Sequence, residues 1–121
     1  MEAPLVRTEA MGRQPWIEHA STMSEAMNQI GYQWRITVIK SLLNHPMRFH
    51  ELKSVIDGIE GKTLSRVLKY LESQQIIRRE VLRTRPISVQ YALTEKGAEL
   101  KPVVDSLQVW GEKWIPGAGK L

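Results

Sequence analysis

Apolar residues recur at helical spacing through most of this chain, and the spacing changes to alternation over one short stretch. In residues 48–56, RFHELKSVI, the side chains of Phe49, Leu52, Val55 and Ile56 fall on one stripe, because positions three and four apart stack on the same helical face. Asp57-Gly58 predicts the stop. In residues 62–75, KTLSRVLKYLESQQ, a second stripe of Leu64, Val67, Leu68 and Leu71 forms the buried side. Lys62, Thr63, Ser65, Arg66, Lys69 and Tyr70 are left outside. Residues 76–82 and 88–93 are rich in β-branched and apolar side chains, with Val89, Tyr91 and Leu93 alternating over the second run. Arg83, Thr84, Arg85 and Pro86 lie between them. Proline lacks an N–H and fixes φ, which suits a loop.

The flanks carry three further patterns. Residues 1–20 read as an arm interrupted by Pro4, Gly12 and Pro15, with Trp16 and Ile17 anchoring its end. Ser21 or Ser24 is placed to cap a short helix reaching Ile30. The next helix is expected over 33–43, with Trp34, Val38, Ile39 and Leu42 inward, and Asn44-His45-Pro46 ends it. A last helical pattern follows Thr94, a natural N-cap, and aligns Leu100, Val103, Val104, Leu107, Trp110 and Trp114. Pro102 lies inside it and removes the bond to the Ala98 carbonyl, so a kink or a break is expected there.

Two helices joined by a tight turn and followed by a hairpin make an α+β, mostly helical chain: a winged helix-turn-helix with a two-stranded β-hairpin wing. An extra N-terminal helix and a C-terminal dimerisation helix complete it. The expected division is an arm over 1–20, a DNA-binding domain with dimerisation helices over 21–115, and a flexible tail over 116–121. In such motifs the second helix lies in the major groove and presents its N-terminal side chains to base edges. Leu42, Phe49, Leu52, Leu64, Leu68 and Tyr91 already supply a core. The ridge with Trp110 and Trp114 is therefore left over. It either covers the subunit's own first helix or anchors a second copy, and large aromatic groups in such ridges favour an interface. Trp16, Val103, Leu107, Trp110 and Trp114 are the residues expected at a homodimer contact.

Charge sharpens the picture. The 121 residues are 42% hydrophobic and 25% charged, with a formal charge of +4. Residues 62–85 hold seven bases, Lys62, Arg66, Lys69, Arg78, Arg79, Arg83 and Arg85, against Glu72 and Glu80. The remainder is close to neutral, as suits a molecule with one surface for a polyanion. Charges at helical spacing ordinarily mark a solvated face. Their coincidence with the arginines of a wing, in the right order after a helix-turn pattern, favours double-stranded DNA as partner instead. Arg66 can donate its planar fork to guanine O6 and N7 together. Thr63, Ser65 and Tyr70 are placed for bases or phosphates. Arg83 and Arg85 suit the backbone or a narrow minor groove. Arg78 and Arg79 point to opposite strand faces, so at most one meets DNA. Arg48 begins the first helix of the motif and suits a phosphate or a surface ion pair.

These residues resemble the HxlR family of winged helix-turn-helix regulators, relatives of the MarR group. The likeness runs through Ile30-Gly31-Tyr32-Gln33-Trp34, Arg48-Phe49-His50-Glu51-Leu52, Gly58-Ile59, Leu64-Ser65, Leu68, Leu71-Glu72, Pro86, Tyr91, Leu93-Thr94-Glu95-Lys96-Gly97, Pro102-Val103 and Trp110-Gly111. It implies a homodimeric bacterial or archaeal transcription factor. The chain departs from the family pattern in four places. Glu60-Gly61 stands where a capping Ser is usual. Val67 replaces a common Arg, with Arg66 one place earlier, and one residue turns a helix by about 100°. Gln75 replaces a Gly, so a left-handed cap there carries a steric cost. Ser21 stands near the place where many relatives carry a sensing Cys.

Other classes are excluded in turn. The chain has no cysteine, which removes disulfides, thiolate nucleophiles, Cys-zinc sites and thiol-based sensing. His19, His45 and His50 are too scattered for a metal ligand set. No cofactor is expected, and no nucleophile, base and orienting acid assemble into an enzyme motif. No apolar run approaches the ~20 residues that span a bilayer, and residues 1–16 lack the order of a signal peptide. A cytoplasmic location and no membrane partner are expected. Met11, Met23, Met27, Trp16 and Trp34 could line a pocket for an unknown small-molecule effector, although such groups are more often core filler. The function expected is sequence-specific DNA-binding transcriptional regulation by a homodimer on an inverted-repeat operator. The alternative is a winged helix that only assembles proteins.

Overall fold

The structure, a computed structural model, describes residues 15–117, with side chains from Ser21 onward. Residues 1–14 of the expected arm over 1–20, Met11 among them, the side chains of Trp16, Ile17 and His19, and the tail beyond 117 lie outside the described residues, while residues 15–20 of that arm are helical. The chain divides between Tyr32 and Gln33. The first unit, as described, is helix α1, Pro15–Ile30. Its start corrects the expected cap at Ser21 or Ser24. Pro15 had read as a breaker, yet proline is tolerated in a first helical turn, whose N–H groups lack intrahelical partners anyway.

The second unit contains α2 (Gln33–Leu42), α3 (Phe49–Val55), α4 (Gly61–Ser73), β1 (Ile77–Thr84), β2 (Ile87–Leu93), α5 (Glu95–Ala98) and α6 (Lys101–Trp114). Helix α3 starts where the Arg48 N–H donates to Glu51 Oε1 over 2.8 Å. It ends at Ile56, which leaves helical geometry at φ −96° and ψ 103°. That departure turns Ile56 into the core at 3% exposure and leaves Val55 56% exposed, so Val55 does not share the buried stripe. Gly58 takes a φ of +84°, which a side chain would resist.

Helix α4 buries Leu64, Val67, Leu68 and Leu71, as its periodicity requires. Around it close Val38, Ile39 and Leu42 of α2, Leu52 and Ile56 at α3, Ile76 and Ile77 at the start of the wing, and Ala92 of β2. Each fully buried aliphatic side chain contributes about 1.5–3 kcal/mol. Phe49 and Tyr91 are only half-buried. Tyr91 has a backbone role too, exchanging N–H to carbonyl bonds of 2.9 and 2.7 Å with Met47, which pins the approach to α3 against the wing.

The hairpin is antiparallel and tighter than expected. Thr84 pairs with Ile87, so only Arg85 and Pro86 remain in the turn. The strands thus extend past the expected 76–82 and 88–93 at the tip. Between Val81 and Arg83 the register shifts.

The last helical pattern is broken at the expected place. Thr94 caps α5 by accepting from the Gly97 N–H over 3.2 Å, and Pro102 stands in the first turn of α6, where its missing N–H costs nothing. Along α6 only Val104 is buried. Val103, Leu107, Val109, Trp110 and Trp114 are exposed in the single chain.

Candidate nucleic-acid interface

The polar side of α4 is held in place along its length and at its C-terminal end. Four buried side chains fix its rotation, which leaves Lys62, Ser65, Arg66 and Lys69 exposed and Thr63 half-buried. Among the described residues, none of Lys62, Arg66 and Lys69 forms an ion pair with a carboxylate. Their ammonium and guanidinium groups therefore remain available to an outside anion.

At the N-terminal end, Glu60 is the N-cap with extended backbone, and its side chain makes no capping bond. The first N–H groups of α4 lack that partner. Lys53 of α3 reaches this end. Its Cε lies 3.8 Å from where a Cβ on Gly61 would be, which adds a cation at the start of the helix that sequence reasoning missed. Only the crossing of α3 and α4 brings it there; its exposure on α3 was the one hint.

The C-terminal end forms a Schellman cap. The Gln75 N–H donates to Glu72 O over 2.9 Å and the Ile76 N–H to Leu71 O over 2.9 Å, the paired 5→2 and 6→1 bonds of that motif. Gln75 takes the left-handed conformation, φ +61°. Thr94 Oγ1 donates to the Gln75 carbonyl over 2.6 Å, with the Ile76 carbonyl at 3.0 Å. Lys96 Nζ donates to Gln74 O over 2.8 Å. A Cβ on Gly97 would collide with the Ile76 carbonyl. The run Thr94-Glu95-Lys96-Gly97 is thus a brace under the end of α4.

Tyr70 differs from its helical neighbours. It is half-buried, and the Arg35 guanidinium of α2 lies 3.5 Å from its ring centroid. One ring face is thereby covered by a cation. Arg35 was not among the expected site residues, because a contact between two helices leaves no trace in either one's periodicity.

On the wing, Arg83, Thr84 and Arg85 are all exposed at or beside the turn. Arg78 is committed elsewhere: Nε donates to Glu80 Oε2 over 2.6 Å and Nη1 to Leu93 O over 2.7 Å. Gln90 Nε2 donates to Glu80 Oε1 over 2.7 Å. The Gln90 and Arg78 bonds together hold the Glu80 carboxyl below its ordinary pKa. Arg48 is exposed at the N-cap of α3. The candidate dimer residues Val103, Leu107, Trp110 and Trp114 line one exposed stripe of α6, while the side chain of Trp16 lies outside those described. Among the described residues no group of His, Asp and Glu could hold a metal ion, and no helix is long and apolar enough to cross a membrane.

Comparison with known proteins agrees with this geometry. The family model of the HxlR-like helix-turn-helix matches residues 29–118. The HTH-type transcriptional regulator YodB of Bacillus subtilis is 38% identical over 96 residues, covering 78% of this chain and 86% of the relative. An uncharacterized HTH-type transcriptional regulator of Methanothermobacter thermautotrophicus is 37% identical over 97 residues, covering 80% of this chain and 74% of its own length. Among solved structures, reduced YodB from B. subtilis superposes with a TM-score of 0.70 at 35% identity, covering 80% of this chain and 95% of that one. The redox regulator HypR in its oxidized form gives 0.72 at 30% identity, covering 76% and 95%. With a helix-turn-helix whose second helix is braced, outward-facing and cationic, the chain belongs to the HxlR-like helix-turn-helix family of transcriptional regulators.

Proposed function

We propose that this regulator works as a homodimer on an inverted-repeat operator, placing one copy of α4 in each of two successive major grooves. The observation that carries the reading is the row of exposed, carboxylate-free cations Lys62, Arg66 and Lys69 on a helix locked by four buried side chains. Arg66 reads a guanine, Thr63 and Ser65 contact bases or phosphates beside it, and Arg83, Arg85 and Arg48 follow the backbone. Tyr70, stacked under Arg35, orients the end of the reading surface.

Helix α6 supports the dimer. Val103, Leu107, Trp110 and Trp114 are spaced 4-3-4, the repeat of a coiled-coil seam, and all four are exposed in the single chain. A second copy that covers this seam sets the two α4 helices about one DNA turn, roughly 34 Å, apart. Relatives include redox regulators, but these 121 residues hold no cysteine, so a signal reaches this chain by another route than thiol chemistry. The cleft of about 560 Å³ between α2 and the end of α3, lined by Trp34, His45, Met47, Val55 and Asp57, is the candidate place for an effector. The regulator works in the cytoplasm, with its DNA.

Selection of genomic fragments by the purified protein, followed by footprinting, tests the reading. The expected result is an inverted repeat with two protected patches one turn apart and an affinity that falls steeply with salt. Recovery of no preferred duplex and an affinity indifferent to salt would overturn it in favour of a protein-assembly module.

A further inference from the structure

The wing carries more than its arginines. Val81, Leu82 and Ile87 are 49%, 49% and 65% exposed, a run of bare aliphatic groups that phosphate contacts do not explain. Their arrangement comes from the register shift. Val81 pairs with Val89, Arg83 with Ser88 and Thr84 with Ile87. Paired residues share a face, and successive residues alternate. With regular pairing through Leu82, alternation would put Arg83 on the face of Val81. The bulge reverses that phase. One face of the wing then bears Val81, Thr84, Ile87 and Val89, and the other bears Arg83, Ser88, Glu80 and Gln90.

We propose that this aliphatic face, led by Ile87 beside the Arg85-Pro86 turn, is a wedge for the minor groove that partly unstacks a base step and bends the operator. The proposal rests on the DNA-binding reading above and adds a deformation to it. Charge complementarity selects the occupant. Arg85 lies in the turn two residues before Ile87, and Arg83 lies on the opposite strand face of the same tip, so a groove that takes in the tip receives Ile87 together with two guanidinium groups. A minor groove offers both, phosphate rims for the cations and apolar sugar and base edges for the wedge. Architectural proteins insert Leu, Ile or Pro between base steps in this way, and pyrimidine–purine steps yield most readily.

The test uses the full chain and the best duplex from genomic selection, with 2-aminopurine placed in turn at each pyrimidine–purine step flanking the major-groove contacts. Saturating protein is expected to raise the fluorescence at one step in each half-site several-fold, and end-to-end energy transfer is expected to report a bend. Ile87→Thr keeps a β-branched residue at an exposed strand position. It is expected to bind up to about tenfold more weakly, and to lose the fluorescence rise and much of the bend at saturation. Arg83→Ala is expected to weaken binding and keep both signals when saturated. Tight, salt-sensitive binding with no fluorescence rise at any step would overturn the wedge and leave the regulator intact. A changed dimer dissociation constant in Ile87→Thr, with the signals retained, would assign the face to the partner copy instead. Absence of any preferred duplex would overturn the wedge and the DNA-binding reading together.

Discussion

The carbonyl of Gln75, a residue held at φ +61°, accepts the Thr94 hydroxyl proton over 2.6 Å. Through this bond the residue that caps α5 also secures the cap of α4. The end of α4 is thereby tied to the segment that leads into α6, so the strained residue is held by its surroundings rather than by its own preference.

Gln75→Gly should stabilise the chain. A left-handed non-glycine residue costs about 1–2 kcal/mol, and glycine gives back about 0.4–1 kcal/mol through a more flexible unfolded chain. The net gain expected is about 0.5–1 kcal/mol, read as a higher urea midpoint with an unchanged slope.

Gly97→Ala should act in the opposite direction. The added methyl meets the Ile76 carbonyl, a backbone atom that cannot swing aside, and overpacking of this kind costs about 1–3 kcal/mol. Urea unfolding of the variant should show a loss in that range. An unchanged midpoint would mean that the brace yields freely.

Much of this architecture is legible in the sequence because it rests on periodicity. The stripe of α4, the stop at Gly58, the cap at Thr94 and the break at Pro102 are each written in a few adjacent residues. The cost at Gln75 is legible only through the family likeness, which has a Gly at that place. What escapes has other causes. Val55 shares the spacing of a buried residue, but α3 ends at that turn and Ile56 takes the inward place. Pro15 breaks a helix interior yet begins one without cost. The bulge at Leu82 leaves no period to read in IRREVLRT, and the Arg35–Tyr70 and Lys53–Gly61 contacts depend on how separate helices cross.

Glu60→Ser tests the N-terminal end of α4. A hydroxyl there can accept from the uncapped N–H groups, which is worth about 1 kcal/mol, and the change removes a carboxylate from the end proposed to meet phosphate. Both the thermal midpoint and the duplex affinity should rise. A rise in stability with no gain in binding would place Glu60 away from the backbone of DNA.

Trp110→Glu tests the seam of α6. Trp110 is 57% exposed in the single chain, so the monomer should keep its far-ultraviolet circular dichroism. Loss of an aromatic interface anchor costs about 2 kcal/mol or more, and a two-fold dimer loses one from each subunit, so the dissociation constant of the proposed dimer should rise by roughly 1,000-fold. Sedimentation should therefore find the variant monomeric at concentrations where the proposed dimer of the parent forms, with duplex affinity reduced accordingly.

The most direct measurement is the preference profile of Arg66→Ala. Affinities of the parent and the variant are compared at one salt concentration across every single-base change in the selected operator. The account predicts that the variant loses about 1–3 kcal/mol of discrimination at one base pair in each half-site and keeps the rest of the profile. Identical profiles for the two proteins would contradict the claim that α4 reads the duplex through this residue.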